Sequence, residues 1–309
     1  MGRHSRELRL YWCAAGSVDA GDLRTRGWHG LGRVLLPLIF WIAKVTMTNA
    51  QPEQGQVRLT RDGAVAHVLF DRPQARNAMT WHMYQQLADV CETLTQDPSV
   101  RVVQFRGAGG QAFVAGTDIE QFKAFRTGQD ALDYEDRINA VMALMEGLPM
   151  PTVAIIEGWA VGGGLAIATA CDFRIALTDT RLGVPIAKTL GNCLAMTNLA
   201  RLERAFGAQR TKRMLLKAEF IGAEEALSCG YLEAVLGADE LEAAATALCD
   251  RLSQLAPVTQ TAMKRGLQRL VNHNVPSGDD LVVACYTSDD FHEGVNAFVE
   301  RRAPNWQGR

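Results

Sequence analysis

The sequence lacks the features that mark a membrane-spanning, zinc-binding or nucleic-acid-binding protein. Its apolar run at residues 34–43 has ten residues, whereas a helix that crosses a bilayer needs about 20. The cysteines form no CxxC pair and no cluster with histidine, so no metal site is expected. The net charge of −2 gives no general attraction to nucleic acid. We therefore expect neither a membrane nor a nucleic acid as a partner.

What the sequence does contain is typical of a globular protein in a reducing compartment. Of its 309 residues, 48% are hydrophobic, which is enough for a full core. The seven cysteines are scattered along the chain, as expected for unpaired and mostly buried thiols. This pattern predicts a cytoplasmic protein with one large domain or two small ones.

Residues 1–46 differ in composition from the rest of the chain. They carry seven Lys or Arg against three Asp or Glu, and they include the apolar run between Arg33 and Lys44. The run is as long as the core of a signal peptide, but no clear cleavage site follows it. One interpretation is that translation begins at Met47 and that residues 1–46 are a non-native extension. The other is a disordered segment or a membrane-surface anchor.

The remainder of the chain alternates between strand-like and helical patterns. Asp62-Gly63 lies between two apolar runs, which indicates a β-hairpin. Strand and helix then alternate as far as Ala176, which favours right-handed β/α units. Beyond Asn198 the apolar residues recur at helical spacing. We predict an α/β core over residues 47–236 and a helical C-terminal part over residues 237–309.

Gly162, Gly163 and Gly164 lie between a β-branched apolar run and a run of small residues. The first run predicts a buried strand and the second a packed helix. Glycines at such a junction let a ligand approach the backbone, and the N–H groups at the start of the helix point outward. Such groups suit a carbonyl or anionic oxygen, which is the arrangement of an oxyanion hole. Tight packing of helix against strand is the alternative reason for the glycines.

A second glycine-rich segment follows the predicted strand at residues 100–106 and contains the pattern Phe-x-Ala-Gly-x-Asp at residues 113–118. Taken with the triple glycine, it resembles the crotonase (enoyl-CoA hydratase/isomerase) superfamily. The resemblance extends from about Val57 to the C-terminus. Three more segments resemble the family's motifs and follow its order: Asp71–Met79 with Arg-Pro and Asn-Ala, Ala170–Ala176 with Cys-Asp-x-Arg-Ile-Ala, and the closing segment Phe291–Arg302.

The resemblance implies a fold, a substrate class and a catalytic device. The fold is an α/β spiral of ββα units with a helical C-terminal part, which in the family helps to build homotrimers and dimers of trimers. The substrate is an acyl-CoA thioester, so coenzyme A is part of the substrate and no separate cofactor is needed. The backbone N–H groups of Thr117 and Gly163 bind the thioester carbonyl and stabilise the enolate-like species that forms from it.

The resemblance also implies which residues contact the substrate and its coenzyme A. The basic residues among them offer a partner for phosphate oxygens. The other residues belong to the Asp71–Met79 segment, or lie in or directly after the Phe-x-Ala-Gly-x-Asp segment that supplies Thr117. These predicted contacts are Arg76, Ala78, Ala115, Asp118, Ile119, Glu120 and Arg301.

The chain departs from the family at both proton-transfer positions. Hydratases of the family carry one glutamate in the helix after the triple glycine and another about twenty residues later, after Gly-x-Pro. Here those positions hold Ala166 and Ile186. Neither side chain can hold water or move a proton. The oxyanion hole is therefore expected to be intact while hydration by the usual pair is impaired.

Three other polar groups are candidates near the site. Glu157 ends the strand before the glycines, and Asn192 lies in the loop after the second glutamate position. Asn192 can orient water or a carboxylate but cannot act as a base. Cys193 is a possible nucleophile, although a buried structural thiol is the commoner case. The alternative for Glu157 is that it is an ordinary surface carboxylate at the end of a strand.

Two functions are consistent with these residues. The first is an enzyme that acts on an acyl-CoA thioester by isomerisation, decarboxylation or hydrolysis, or by hydration with an unusual proton carrier. The second is a non-catalytic acyl-CoA-binding protein or assembly subunit. Turnover of a panel of thioesters discriminates between the two.

Overall fold

Two sheets organise the part of the chain that the structure describes. The computed structural model describes residues 54–271 and 278–307, and these lie in one compact unit, Ala50–Arg309. The predictions made above for residues 1–46 lie outside the described residues. No helix within the described ranges is both long and apolar enough to cross a membrane.

The larger sheet has six strands in the order β1-β2-β3-β5-β7-β10. β1 and β2 form the antiparallel hairpin that Asp62-Gly63 predicts, and Gly63 has the positive φ of 54° that its turn requires. The remaining pairs are parallel. Its strands are β1 (Gln56–Asp62), β2 (Val65–Asp71), β3 (Val102–Gly107), β5 (Thr152–Ile156), β7 (Phe173–Leu177) and β10 (Ala234–Leu236).

The smaller sheet has four strands in the order β4-β6-β8-β9. Its strands are short and alternate along the chain with those of the larger sheet, because β3, β5 and β7 are each followed by a short strand and then a helix. This repeat is the spiral of ββα units that the resemblance implies. The strands are β4 (Ala112–Val114), β6 (Trp159–Val161), β8 (Arg181–Gly183) and β9 (Ile221–Gly222).

Helices cover the sheets, and capping side chains lie at the N-termini of several of these helices. The Thr80 side chain accepts a hydrogen bond from the Met83 N–H at the start of α1, and Thr127 with Asp130 forms a capping box on α2. Short 3₁₀ turns lie at Pro73–Ala75 and Ile119–Ala124. The helices of this part are α1 (Trp81–Thr95), α2 (Gly128–Glu146), α3 (Gly163–Ala170), α4 (Ile186–Thr189), α5 (Met196–Leu216) and α6 (Ala223–Ser228).

Beyond β10 every described element is a helix, which confirms the helical C-terminal part. The helical part is interrupted at Thr287-Ser288, because the Ser288 side chain accepts from the Phe291 N–H and caps a new helix there. The helices of this part are α7 (Leu241–Ser253), α8 (Pro257–Val271), α9 (Asp279–Tyr286) and α10 (Asp289–Val299).

The contact between α3 and β4 positions the site and depends on a glycine. A Cβ atom built on Gly164 would lie 1.9 Å from the carbonyl oxygen of Val114. No side chain fits there, so α3 can approach β4 only with glycine at this position. The packing explanation for the glycines therefore holds for Gly164.

Candidate active site

Two turns meet at the start of α3. Gly116, in the turn after β4, has φ +106°, and Gly162, in the turn after β6, has φ +52°. Both values lie where glycine is strongly preferred. A Cβ on Gly162 would lie 3.9 Å from Gly116 Cα, and a Cβ on Gly116 would lie 3.5 Å from the Val161 oxygen. The turns are thus in van der Waals contact, with no side chain between them.

This contact brings together the two residues whose N–H groups the sequence suggests as an oxyanion hole. A Cβ on Gly163 would lie 3.8 Å from Thr117 N. Met79 N donates to Gly116 O at 2.8 Å and Asp118 N donates to Met79 O at 2.8 Å, so this bridge does not use the Thr117 N–H. Gly163 is the first residue of α3, where an N–H has no acceptor within the helix.

Hydroxyl groups fix the side chain of Thr117 beside this point. The Tyr84 OH lies 2.9 Å from Thr117 Oγ1, and the Tyr134 OH lies 3.2 Å from the same atom. Burial raises the pKa of both tyrosines above the ordinary range, so both hydroxyls are neutral. A Cβ on Gly163 would lie only 2.5 Å from the Tyr84 OH. Residue 163 must therefore be glycine as long as Tyr84 keeps its place.

A small cavity of about 30 Å³ opens next to Gly162 and Gly163. A cavity needs at least about 10–15 Å³ to hold one water molecule, so this one accommodates only a small group. Ala166 lies on its wall, which places the family's first glutamate position at the cavity. The other lining residues are Tyr134, Glu135, Ile138, Val184, Leu194, Asn198, Arg201 and Leu202.

Glu135 is the buried carboxylate of this cavity, and the sequence analysis missed it. Its exposure is 4%. Its Oε1 accepts from the Tyr286 OH at 3.0 Å, and its Oε2 accepts from the Ala195 N–H at 3.1 Å. Burial raises the pKa of Glu135 to about 7, although these bonds and one with Asn198 act in the opposite direction. A carboxyl group with such a pKa can take up or release a proton near neutral pH.

The sequence did contain a signal for Glu135. It stands at helical spacing among the apolar residues of one face of α2. A carboxylate on such a stripe is unusual, because charged side chains are almost never fully buried without a partner. The buried face of α2 consists of Ala131, Glu135, Ile138, Val141, Met142 and Met145.

The polar candidates taken from the sequence are not among the residues that line this cavity. Glu157 Oε2 pairs with Arg106 Nε at 2.7 Å, and Arg106 also pairs with Glu242. Asn192 is connected to Glu135 through Tyr286, because its Nδ2 donates to the Tyr286 OH at 3.0 Å. The Cys193 thiol donates to the Leu281 oxygen at 3.4 Å, and burial raises its pKa above the ordinary range.

The residues suggested for coenzyme A contacts fall into two groups. Asp118 is tied into the fold, since it pairs with Arg72 at 2.7 Å and caps the 3₁₀ turn that begins at Ile119. Ile119 itself packs against an aromatic cluster. Arg76, Glu120 and Arg301 are exposed, whereas Ala78 and Ala115 are half-buried. Ile186 is half-buried against the main core and is not among the residues of the cavity wall.

The raised pKa of Glu135 predicts a pH-dependent cost to stability. The folded state favours the neutral carboxyl group of Glu135. The protein therefore has its full free energy of unfolding below the ordinary pKa of 4.5 and loses part of it as the pH rises through about 7. The full change corresponds to about 3 kcal/mol. Glu135→Gln remains neutral throughout, so its free energy of unfolding should rise relative to wild type by about that amount between pH 5 and pH 8.

Urea unfolding of both proteins at several pH values measures this difference. Asp136→Asn serves as the control, because Asp136 is the exposed neighbour of Glu135 on α2 and its charge is the smallest of the causes that shift the pKa of Glu135. We expect it to follow the wild-type pH dependence closely. Parallel curves for wild type and Glu135→Gln would show that Glu135 titrates at its ordinary pKa.

Comparison with known proteins places these features in context. Residues 60–309 match the family described as enoyl-CoA hydratase/isomerase. The short-chain-enoyl-CoA hydratase of Clostridium acetobutylicum is 31% identical over 254 residues, which cover 81% of this chain and 97% of that protein.

Solved structures give the same result. An enoyl-CoA hydratase/carnithine racemase from Magnetospirillum magneticum is 32% identical, with a TM-score of 0.68 over 82% of this chain and 96% of its own. A methylmalonyl-CoA decarboxylase in complex with 2-nitronate-propionyl-CoA is 26% identical, with a TM-score of 0.75 over 82% of this chain and 98% of its own. The similarity thus covers about four fifths of the chain, and the similar proteins differ in the reactions they are named for.

Proposed function

The chain belongs to the enoyl-CoA hydratase/isomerase family, and from this premise we propose that it is an enzyme acting on an acyl-CoA thioester. The backbone N–H groups of Thr117 and Gly163 bind the thioester oxygen. As charge develops on that oxygen in an enolate-like transition state, the two donors bind it more strongly than the neutral carbonyl. Preorganised donors of this kind lower the barrier because they need no rearrangement during the reaction.

The observation that carries this proposal is the contact between the two glycine turns. A Gly163 Cβ position 3.8 Å from Thr117 N leaves two neighbouring amides available to one oxygen. The names of the similar proteins support the substrate class, because the hydratase, the decarboxylase and the ligand of the decarboxylase complex are all named for CoA compounds. The cavity of about 30 Å³ beside Gly163 favours a short acyl group.

The wall of the site argues against hydration by the usual pair of glutamates. Ala166 is at the cavity and Ile186 packs against the main core. Isomerisation, decarboxylation and thioester hydrolysis can each use the oxyanion hole with a different proton carrier. Decarboxylation is among the candidates because a structure named as a methylmalonyl-CoA decarboxylase shares the fold with a TM-score of 0.75.

A panel of thioesters tests the proposal. Purified protein would be incubated with crotonyl-CoA, 3-enoyl-CoA, methylmalonyl-CoA and saturated acyl-CoA esters, and products would be identified by mass spectrometry. Turnover of at least one ester supports an enzyme. Tight binding without turnover of any ester would support the alternative, a non-catalytic acyl-CoA-binding or assembly subunit.

The assembly that accompanies this function is a homotrimer or a dimer of trimers. Met263, Leu267 and Leu270 recur at helical spacing on α8 and are 61–78% exposed in the single chain. A contiguous exposed apolar face of this kind favours contact with another subunit. Leu281 on α9 and Phe298 on α10 are also about half exposed, whereas Val282 is buried.

Sedimentation velocity measures this assembly directly. Wild type should sediment as a trimer or hexamer at micromolar concentration. Leu267→Asp should shift it toward the monomer, because a charge at a buried contact is costly. Leu216→Asp is a matched control on α5, where Leu216 is 76% exposed. A wild-type monomer at all concentrations would contradict the proposed assembly.

A further inference from the structure

We propose that Glu135 is the proton-transfer group of this site, in place of the glutamates that Ala166 and Ile186 replace. The inference rests on the proposed function, since it assigns a base to the same acyl-CoA site. The Glu135 carboxylate takes a proton from the α-carbon of the acyl group. The C–H electron pair forms the enolate double bond, and the charge moves to the thioester oxygen at Thr117 and Gly163. The Glu135 carboxylic acid then returns the proton to carbon.

The position of Glu135 carries the inference. Its side chain lines the same small cavity as Gly163 and Ala166, but it comes from α2, which packs across from α3. The cavity therefore has no glutamate at position 166 on α3, but it has a glutamate on the facing helix α2. Because Glu135 and Gly163 line one small cavity, a base at Glu135 faces the space next to a carbonyl held by Gly163, where proton abstraction would take place.

Glu135 is also free of a neutralising cation among the described residues. Arg201 lines the same cavity, but its Nε and Nη2 bind the carboxylate of Glu146 at 2.6 and 3.0 Å. Its Nη1 donates to Asn198 Oδ1. A carboxylate ion-paired with arginine would be a weak base. Because Arg201 is bound elsewhere, Glu135 keeps its basicity.

The hydrogen bonds of Glu135 suit both of its protonation states. When the carboxylate is charged, Asn192 Nδ2 donates to the Tyr286 OH, and that hydroxyl donates to Glu135 Oε1. Asn192 Oδ1 is buried and has no hydrogen-bond partner within the described residues. Rotation of the Asn192 amide would let Tyr286 donate to this oxygen and accept from a protonated Glu135. Such a reversible chain keeps the Tyr286 hydroxyl hydrogen-bonded to Glu135 in both protonation states.

The titratable and charged groups around Glu135 come from several elements. Tyr134 and Tyr84 lie toward Thr117, Asp136 is on the outer face of α2, and Arg201 is bound to Glu146. Tyr286 is hydrogen-bonded to Glu135, and Cys193 is near it, with a pKa that burial and the Glu135 charge both raise. None of these groups ordinarily titrates near pH 7. A kinetic pKa near 7 would therefore belong to Glu135, whose pKa burial raises to about 7.

Deuterium exchange on butyryl-CoA tests the assignment. Butyryl-CoA has α-protons but no double bond, so its exchange in D₂O reports enolate formation alone, and mass spectrometry measures it. Glu135→Gln should lower the exchange rate by about 10²–10⁴ while butyryl-CoA still binds. Asp136→Asn, a carboxylate-to-amide change on the outer face of the same helix, should leave the rate within about twofold.

The pH dependence separates catalysis from structural support. Wild-type exchange should rise through an inflection near pH 7, and Glu135→Gln should lose this inflection. Tyr286→Phe removes a hydrogen bond that favours the charged carboxylate, so it should move the inflection to higher pH. Exchange by Glu135→Gln at the wild-type rate would overturn the assignment. A greater loss in Tyr134→Phe than in Glu135→Gln would also overturn it, in favour of Tyr134.

The same exchange assay distinguishes failure of the proposed function from failure of the Glu135 assignment. If the hole is misassigned, Gly163→Ala exchanges butyryl-CoA as fast as wild type, whatever Glu135→Gln does. If only the base is misassigned, Gly163→Ala is slow and Glu135→Gln is fast. If wild type itself gives no exchange, Glu135 is not a base for the α-proton and the inference is wrong.

Discussion

Gly163→Ala should lower kcat/KM for the best thioester substrate by about 10²–10³, the cost typical of losing one oxyanion-hole donor. The added Cβ would lie 2.5 Å from the Tyr84 OH and 3.1 Å from Thr117 Oγ1. Contacts this short force Tyr84 or Thr117 to move. Because the Thr117 side chain adjoins its own backbone donor, either movement disturbs the hole. Steady-state kinetics on the substrate found by the thioester panel measures the loss.

A double variant tests the cause of this loss. Tyr84→Phe removes the oxygen nearest to the new Cβ, so Tyr84→Phe with Gly163→Ala should be more active than Gly163→Ala alone. Such a recovery is a coupling between contacting residues. Gly222→Ala is the matched control, because Gly222 has a φ of −81° and an added Cβ would lie 3.8 Å from the end of the Arg181 side chain. Wild-type kinetics in Gly163→Ala would mean that the oxygen binds elsewhere.

Hydration of crotonyl-CoA should be slower than in a glutamate-bearing relative by about 10²–10⁴, the usual contribution of general acid–base groups. Hydration needs one group to activate water and another to deliver a proton. Ala166 and Ile186 supply neither, and Glu135 approaches from a different wall of the cavity. The short-chain-enoyl-CoA hydratase of Clostridium acetobutylicum, measured in the same assay by loss of the conjugated thioester absorbance, is the reference.

Two variants refine this prediction. Ala166→Glu restores a carboxylate at the cavity wall, and together with Ile186→Glu it should raise hydration. The gain should be limited, because Ile186 packs against the core and a charged side chain must leave that packing. Crotonyl-CoA hydration by wild type at the rate of the reference enzyme would contradict the prediction and show that other groups activate water here.

The fold and the contact between the two glycine turns were predictable because they depend on local signals. Each glycine turn is encoded in a few consecutive residues, and the positive φ values at Gly116 and Gly162 explain why glycine is required there. Of the two explanations offered for the triple glycine, tight packing holds at Gly164, and the oxyanion hole remains a prediction for Gly163. Gly164 allows α3 to pack against β4, and Gly163 leaves room beside Thr117.

Glu135 was not predicted because its setting is created by distant segments. Its hydrogen-bond donors come from Tyr286 and Ala195, which lie 151 and 60 residues further along the chain. Only tertiary packing brings them together, and no local motif records it. Glu157 is the opposite case, a residue that a local pattern suggested although a distant residue determines its setting. Its position before the glycines indicated a site residue, but its ion pair with Arg106 is formed across the sheet and is invisible in the local sequence.

The most direct test of the central claim is the infrared spectrum of bound butyryl-CoA labelled with ¹³C at the thioester carbonyl. Two N–H donors on one oxygen polarise the carbonyl and weaken the C=O bond, so its stretching frequency should fall on binding to wild type. The shift should persist in Glu135→Gln, which keeps both donors, and should be reduced in Gly163→Ala. An unshifted carbonyl band in the wild-type complex would contradict the assignment of Thr117 and Gly163 as an oxyanion hole.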